Sequence, residues 1–256
     1  MKVNGDARAF QATLTAIHIK NLMKNILLAS TSTLFGGKYL DYIKNEITEL
    51  FQDTPQVIFI PYARPGGISY DEYTSKARGI FEEIGKELVG IHTFKDPVKA
   101  LQEAQGLFTG GGNTFVLVDT LYRLKMMEVL RQRILEGLPY LGSSAGSNIC
   151  GISMNTTNDM PIVYPPSFKT LGVVPFNINP HYLDPDVNSK HMGETRETRI
   201  KEFHSQSTVP VVGLREGSWI RVKGNQNILM GNLSARIFQQ GQDPIELPSG
   251  KEIIFR

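Results

Sequence analysis

The chain has 256 residues, of which 41% are hydrophobic and 20% are charged, and its formal net charge is +2. These values exclude a disordered chain, and the near-neutral charge gives no indication of nucleic acid as a partner. A single cysteine, Cys150, excludes an internal disulfide and a cysteine metal cluster. No apolar run approaches the ~20 residues of a membrane span, so we expect a soluble, cytoplasmic protein.

The N-terminal segment Met1–Leu22 differs from the rest of the chain. It carries four basic or histidine side chains against a single acid, and Met-Lys-Asn at 23–25 then resembles a second translation start. We interpret the segment as a weak presequence, an alternative start or a cloning remnant. We expect residues 1–22 to be a poorly ordered extension and residues 23–256 to form a single domain.

Short apolar runs alternate with segments of helical periodicity from residue 25 to residue 143. Strands are predicted at Asn25–Ser30, Val57–Ile60, Val89–Phe94, Gly106–Thr109 and Leu138–Ser143. Helices are predicted between them at Tyr39–Phe51, Ser69–Gly85 (opened by a capping box), Asp96–Ala104 and Thr114–Leu135, the last with room for an interruption. This alternation predicts an α/β fold, in which helices cover both faces of a parallel sheet and functional residues gather beyond the carboxyl ends of its strands.

The second half of the chain has a different pattern. Strands are predicted at Val173–Phe176 and Val209–Leu214, and a charged helix at Glu194–Phe203. From Ser218 onward short strands alternate with turns, which indicates antiparallel hairpins at the edge of the sheet near the C-terminus. No linker divides the chain, so the mostly parallel sheet and these edge strands are expected in one domain.

Two small-residue stretches follow predicted strands. Gly-Ser-Ser-Ala-Gly at 142–146 fits the G-x-S-x-G pattern of a nucleophile elbow, with Ser144 at its centre, although a plain turn fits as well. Gly-Gly-Gly-Asn-Thr at 110–114 lacks the Lys-Ser/Thr pair of a P-loop and the third glycine of a dinucleotide site. It is interpreted as a backbone N–H cradle for an oxyanion or carboxylate, or as a turn capped by Asn113.

A serine nucleophile needs a base, and the sequence has five histidines. His181 is the candidate, because it lies on a stiff loop just past a predicted strand; a non-catalytic loop histidine is the alternative. The others are less suited, since they lie in the extension, in a predicted strand or in a charged, solvated stretch: His18, His92, His191 and His204.

A third group should accept a hydrogen bond from the imidazole and stabilise its charged form. Asp159 lies between the elbow and His181 and gives the chain order Ser…Asp…His. Glu216 follows another predicted strand and is the competing acid. Sequence spacing does not choose between them.

Five motifs, in order, resemble those of peptidase E, the α-aspartyl dipeptidase family. They are Gly-Gly-Gly-Asn-Thr-Phe at 110–115, Gly-Ser-Ser-Ala-Gly-Ser-Asn at 142–148, Thr-Thr-Asn-Asp-Met-Pro-Ile-Val at 156–163, Asn-Pro-His at 179–181 and Gly-Glu-Thr-Arg at 193–196. The resemblance extends from about Met23 to the C-terminus. It departs at Ser143, where the family often has tryptophan, a change that would alter the pocket wall and leave the nucleophile in place.

The resemblance implies a flavodoxin-like three-layer αβα sandwich, shared with class I glutamine amidotransferases. It also implies a serine exopeptidase that cleaves dipeptides with an N-terminal aspartate and needs no metal or organic cofactor. On the matching positions Ser144 is the nucleophile, His181 the general base and Asp159 the usual third member, with Glu216 at a second acidic position. Backbone N–H groups are expected to hold the oxyanion, at Gly111, Gly112, Asn113 and Ala145.

Recognition of an aspartyl side chain requires a cation, because an unpaired buried carboxylate is unfavourable. Arg196 is the candidate, since its planar guanidinium suits a carboxylate. The alternative is a surface arginine paired with Glu194 or Glu197.

Three other functions remain open at this stage: a cyanophycinase-like hydrolase of β-aspartyl polymer, a thiol enzyme, and a catalytically inactive binding homologue. The thiol enzyme is disfavoured because the elbow holds a serine. The partners expected are small dipeptides, and the protein is expected to be a monomer or a small homo-oligomer.

Overall fold

The computed structural model describes residues 23–185 and 193–255. The predicted extension at residues 1–22, with His18, and the loop position His191 lie outside the described residues. Eleven strands lie within them. In chain order they are β1 Asn25–Ala29, β2 Gln56–Ile60, β3 Glu87–Gly90, β4 Leu107–Thr109, β5 Tyr140–Ser143, β6 Asn177–Pro180, β7 Val211–Leu214, β8 Ser218–Lys223, β9 Gln226–Gly231, β10 Ala235–Phe238 and β11 Ile245–Leu247.

Seven strands form the central sheet, in the order β3-β2-β4-β5-β1-β8-β9. The pairs among β1 to β5 are parallel, whereas β8 and β9 form an antiparallel hairpin added beside β1. The predicted α/β fold, with a mostly parallel sheet and antiparallel edge strands near the C-terminus, is therefore confirmed. The carboxyl ends of β1, β4 and β5 lie side by side, because these strands are neighbours.

A second sheet has the order β11-β10-β7-β6 and was not expected from the sequence. Only its β6 and β7 run parallel. The strand predicted at Val173–Phe176 is wrong, because the N–H groups of Val173 and Val174 donate to the carbonyl of Cys150 instead of joining a ladder. The strand begins at Asn177 and ends at Pro180, next to His181.

The helices are α1 Lys44–Leu50 (preceded by a 3₁₀ turn at Asp41–Ile43), α2 Tyr70–Glu83, α3 Pro97–Glu103, α4 Thr114–Arg123, α5 Met127–Leu135, α6 Ala145–Asn148 and α7 Arg196–His204. The capping box of α2 is present, since the Ser69 hydroxyl accepts from the Glu72 N–H and the Glu72 carboxylate accepts from the Ser69 N–H. The long helix predicted at Thr114–Leu135 is interrupted at Lys125, which has φ +56°. The predicted strand at Val89–Phe94 ends early, since Ile91–Thr93 forms a 3₁₀ turn.

Both faces of the central sheet are buried. Along β1, Ile26 and Leu28 pack on one face with α3, α4, α5 and part of the second sheet, whereas Leu27 and Ala29 pack on the other with α1 and α2. Burying each such leucine or isoleucine side chain contributes about 1.5–3 kcal/mol to folding. The two buried faces explain why the parallel strands have continuous apolar sequences. Within residues 23–185 and 193–255, no helix has the length and apolarity needed to cross a membrane.

Candidate active site

Ser144 lies at the turn between β5 and α6. Its φ of +53° and ψ of −111° are unusual for a residue with a side chain, as expected at a strained strand-to-helix elbow. Its N–H donates to the carbonyl of Ala29 at the end of β1 (3.1 Å). The elbow is therefore fastened to the neighbouring strand.

The small residues around Ser144 permit close approach of the backbone. A Cβ built on Gly146 would lie 2.1 Å from the carbonyl oxygen of Thr109, and one on Gly111 would lie 2.8 Å from the Cβ of Ser144. Both distances are far below contact, so any other residue at either position would push the elbow away from the end of β4. The two glycine-rich stretches are thus packed against each other.

His181 follows β6 directly and has φ +53°. Its N–H donates to the hydroxyl of Ser30 (2.9 Å), and this hydroxyl donates to the carbonyl of Leu214 (2.7 Å). Ser30 therefore joins the ends of β1, β6 and β7. The imidazole Nε2 lies 2.8 Å from the Ser144 hydroxyl.

Glu216, in the turn between β7 and β8, lies on the other side of the imidazole. Its Oε1 is 2.6 Å from Nδ1 of His181, and the two side chains are 50% and 37% exposed, respectively. An Nδ1–H that donates to the carboxylate leaves Nε2 free to accept the proton of Ser144. The three side chains have the arrangement of a serine, base and acid relay.

Asp159 has different partners. Its Oδ2 accepts hydrogen bonds from the backbone N–H of Thr114 (2.7 Å) and the hydroxyl of Thr157 (2.9 Å). Thr114 is the first residue of α4, where a negative charge is favoured by the helix dipole. The structure thus brings Glu216 to His181, and it places Asp159 at the start of a helix instead of beside the imidazole.

The N–H groups expected to hold an oxyanion differ in availability. The N–H of Asn113 donates to the carbonyl of Ala63 (2.7 Å), so Asn113 is not available, and this part of the expectation is corrected. Its side chain caps α4 by accepting from the N–H of Val116. Within the described residues, no acceptor binds the N–H groups of Gly111, Gly112 and Ala145. These three remain as candidate donors beside Ser144.

Arg196 is the first residue of α7 and lies half-buried in a narrow cavity with Asn158 and Asn179. Burial lowers the pKa of Arg196, the nearby Arg199 lowers it further, and the charge of Asp159 opposes both. The pairing alternative is not observed. Glu194 pairs with Arg199, and Glu197 pairs with Lys201 and Arg236, so no carboxylate of the described residues forms an ion pair with Arg196.

Comparison with known proteins identifies the family of this chain. Residues 26–230 match the sequence model of Peptidase family S51. The chain belongs to this family.

Its relatives include Peptidase E of Streptomyces coelicolor, 48% identical over 229 residues, which cover 90% of this chain and 93% of the relative. They also include the probable alpha-aspartyl dipeptidase of Drosophila melanogaster, 45% identical over 235 residues, which cover 91% and 97% of the two chains. The resemblance inferred from the five motifs is confirmed.

Two solved structures share the fold of this S51 peptidase. The crystal structure of a peptidase from an acI-B1 Actinobacterium matches with a TM-score of 0.70 at 17% identity, covering 92% of this chain and 98% of the other. A putative peptidase E protein from Listeria monocytogenes matches with a TM-score of 0.63 at 22% identity, covering 82% and 98%.

The single thiol of the peptidase is not placed for nucleophilic chemistry. Cys150 is fully buried behind the elbow, and burial raises the pKa of its thiol. A thiolate is the reactive form of cysteine, so this environment makes Cys150 inert. Across residues 23–185 and 193–255, no group of three or more His, Cys, Asp or Glu side chains could hold a metal ion.

Sequence reasoning missed two residues that shape the candidate site. The hydroxyl of Ser30 accepts the N–H of His181 and so positions the backbone of His181. The sequence signal that could have identified Ser30 is its position at the carboxyl end of the first predicted strand. Tyr73 donates its hydroxyl to the carbonyl of Gly111 (3.1 Å) and so orients the peptide that ends in the Gly112 N–H. No local pattern marks Tyr73, because its role depends on how α2 packs beneath β4.

Proposed function

We propose that this S51 peptidase is a serine dipeptidase that hydrolyses dipeptides with an N-terminal aspartate through an acyl-enzyme on Ser144. The observation that carries the proposal is the relay from Ser144 through His181 to Glu216, with distances of 2.8 and 2.6 Å, beside unpaired backbone N–H groups. The names of the relatives, peptidase E and probable alpha-aspartyl dipeptidase, support the substrate class.

The first chemical step is acylation. His181 Nε2 removes the proton of Ser144 as Oγ attacks the scissile carbonyl, and Glu216 stabilises the imidazolium that forms. A positioned general base of this kind contributes roughly 10²–10⁴-fold to the rate. His181 then donates the proton to the leaving amine, and the aspartyl group remains on Ser144.

Backbone N–H groups stabilise the oxyanion of the tetrahedral intermediate. The candidates are Gly111, Gly112 and Ala145, whose N–H groups have no internal acceptor among the described residues. Removing one such donor typically raises the barrier by about 3–4 kcal/mol. In deacylation, His181 activates a water molecule that attacks the ester, and the same donors hold the second oxyanion.

Arg196 is proposed to bind the aspartyl side chain of the substrate. Its guanidinium has no ion pair with a carboxylate of the described residues, and the charge of Asp159 raises the pKa of Arg196 against the lowering by burial and Arg199. A substrate carboxylate would supply the missing partner, and a neutral side chain would leave the guanidinium without one. The site would therefore discriminate against dipeptides without an N-terminal acid.

Turnover of Asp-Leu and of a neutral dipeptide such as Ala-Leu tests the proposal. The wild type should hydrolyse Asp-Leu, and Ser144→Ala should not. Arg196→Met should lower kcat/KM for Asp-Leu by about 10²-fold or more and change the slow turnover of Ala-Leu little. Lys201→Met is the matched control, because Lys201 lies on the same helix, pairs with Glu197 and does not line the cavity that contains Arg196. Equal losses on both dipeptides in Arg196→Met would remove Arg196 from recognition.

The two remaining alternatives have distinct outcomes. A cyanophycinase-like enzyme would hydrolyse β-aspartyl polymer faster than Asp-Leu. An inactive binding homologue would turn over neither and would not be labelled at Ser144 by a serine-directed phosphonate. Small dipeptides as partners, a cytoplasmic location and a monomer or small homo-oligomer stay predictions.

A further inference from the structure

Arg64 lies directly beside the glycine-rich loop, at the carboxyl end of β2. The preceding residue, Ala63, accepts the N–H of Asn113 through its carbonyl (2.7 Å). A Cβ built on Gly112, whose φ is +143°, would lie 2.2 Å from this carbonyl oxygen. The backbone at Ala63 is therefore packed against the loop that contacts Ser144 through Gly111.

The side chain of Arg64 is held near the same loop by an aromatic ring. Its guanidinium carbon lies 4.6 Å from the centroid of the Tyr73 ring, a distance suited to a cation–π contact. The hydroxyl of Tyr73 binds the carbonyl of Gly111, and Gly111 packs against Ser144. One tyrosine thus separates the Arg64 guanidinium from the proposed oxyanion cradle.

Arg64 is partly buried and lacks the partners that Arg215 and Arg221, two other partly buried arginines, have. Its Nε is buried without a hydrogen-bond acceptor, and no carboxylate of the described residues forms an ion pair with it. By contrast, the guanidinium of Arg215 binds two carboxylates, and that of Arg221 binds a backbone carbonyl and Asn25. Leaving a buried donor unpaired is unfavourable, so a bound anion would stabilise Arg64 as it stands.

We propose that Arg64 binds the terminal carboxylate of the leaving amino acid, an inference that rests on the proposed dipeptidase function. An Asp-X dipeptide carries two carboxylates, one on the aspartyl side chain and one at its C-terminus. The site has two guanidinium groups without carboxylate partners among the described residues, Arg196 near Asp159 and Arg64 near Tyr73. If Arg196 takes the side chain, Arg64 takes the terminal carboxylate.

The assignment has a consequence for substrate length. A tripeptide or an amidated dipeptide presents a neutral amide where a dipeptide presents its terminal carboxylate. The carbonyl oxygen of an amide can accept a hydrogen bond from the guanidinium, but it carries no negative charge, so a weaker neutral hydrogen bond would replace a charge-assisted pair. Arg64 would thereby favour dipeptides over tripeptides and amidated dipeptides.

The test compares Asp-Leu with Asp-Leu amide. The wild type should prefer Asp-Leu by about 10- to 100-fold in kcat/KM, the usual effect of one charge-assisted pair. Arg64→Met should lose most of this preference through a higher KM for Asp-Leu and should leave turnover of the amide within about twofold. Arg64→Lys should retain part of the preference, because it keeps the charge but not the planar donor pair. Similar losses on both substrates, or an unchanged preference, would overturn the assignment.

Lys76→Ala is the matched control, since its ammonium lies over the neighbouring Tyr39 ring at 5.7 Å and has no assigned role. It should leave the preference unchanged, and a loss equal to that of Arg64→Met would show a general charge effect and overturn the assignment.

Calorimetric binding to Ser144→Ala separates this proposal from the dipeptidase proposal, because it needs no turnover. Asp-Leu should bind Ser144→Ala more tightly than its amide, and adding Arg64→Met should abolish the difference. Equal binding of the two ligands to Ser144→Ala would overturn the role of Arg64, even if the wild type hydrolyses Asp-Leu. Failure of the wild type to hydrolyse any Asp-X dipeptide would count against the dipeptidase proposal alone. Circular dichroism confirms that each variant is folded.

Discussion

The Nδ1 atom of His181 lies 2.6 Å from Oε1 of Glu216, and this contact follows from the pairing of two strands. β6 and β7 are parallel, with Pro180 opposite Leu214. The residues that leave these strands, His181 and the turn containing Glu216, therefore emerge at the same edge of the second sheet. The order along the chain becomes serine, histidine and glutamate.

Glu216→Gln should lower kcat for Asp-Leu by about 10³- to 10⁴-fold, with a smaller effect on KM. The neutral amide can retain a hydrogen bond, but it does not stabilise the imidazolium and can favour the wrong tautomer of His181. Steady-state kinetics at neutral pH measure the change.

Asp159→Asn provides the comparison for this prediction. Its carboxylate binds the N–H of Thr114 and lies near Arg196, so its loss should raise KM for Asp-Leu more than it lowers kcat. The opposite result would contradict this prediction. If Asp159→Asn lowered kcat by about 10³- to 10⁴-fold and Glu216→Gln kept a near wild-type kcat, Asp159 would be the acid that orients the imidazole.

Arg215 joins the segments on either side of the His181–Glu216 pair. Its guanidinium binds both carboxylate oxygens of Asp184 (2.8 and 2.7 Å) and both of Glu246 (2.9 Å each). The arginine side chain is only 14% exposed, and the two carboxylates compensate its positive charge. Because Arg215 precedes Glu216 and Asp184 shortly follows His181, the same guanidinium positions both segments.

Arg215→Met should reduce the free energy of unfolding by about 2–4 kcal/mol, since it leaves two carboxylates without their shared partner. It should also lower kcat at least about tenfold while KM changes less, because the relay loses its alignment. Arg123→Met is the control, as Arg123 forms an exposed ion pair within one helix that is worth about 0.5 kcal/mol. Urea unfolding and kinetics are measured together, and a stable Arg215→Met enzyme with normal kcat would contradict the prediction.

The stability of the protein should depend on the ionisation of Glu246. Hydrogen bonds from Arg215 lower the pKa of Glu246 from 4.5 to about 2. A carboxyl group with a lowered pKa stabilises the fold fully above its unfolded value, and this stabilisation is lost as the pH falls from about 4.5 to about 2. The difference in urea midpoint between wild type and Glu246→Gln should therefore shrink across this pH range. A difference that stays constant from pH 6 to pH 2.5 would exclude this role.

The sequence predicts best those features that depend on neighbouring residues in the chain. The apolar runs of β1 and β2 predict strands because both of their faces are buried. The sequence does not predict the second sheet, because two of its strands lack such an apolar pattern. β6 contains the buried polar residues Asn177 and Asn179, and β11 is largely exposed, so neither has the alternation of an ordinary strand.

The same distinction applies to the site. The elbow around Ser144 is a local motif and is recognised directly in the sequence. The choice between Asp159 and Glu216 depends on the pairing of β6 with β7, and the loss of Asn113 as a donor depends on its contact with Ala63. Both are tertiary relationships that spacing along the chain does not encode.

Gly146→Ala should disrupt the elbow, because its added methyl group would lie 2.1 Å from the carbonyl oxygen of Thr109. That oxygen belongs to the backbone of β4, so relief of the contact must move either the strand end or α6. We expect a loss of about 1–3 kcal/mol in the free energy of unfolding, together with reduced kcat as Ser144 shifts away from His181.

Gly79→Ala is the matched control, since Gly79 lies on the exposed face of α2 with nothing within 4 Å of an added Cβ. It should stabilise the protein by about 0.5–1 kcal/mol through helix propensity and leave kcat unchanged. Thermal unfolding and Asp-Leu turnover of both variants check the prediction, and a Gly146→Ala enzyme as stable and active as Gly79→Ala would show that the elbow tolerates a side chain at this position.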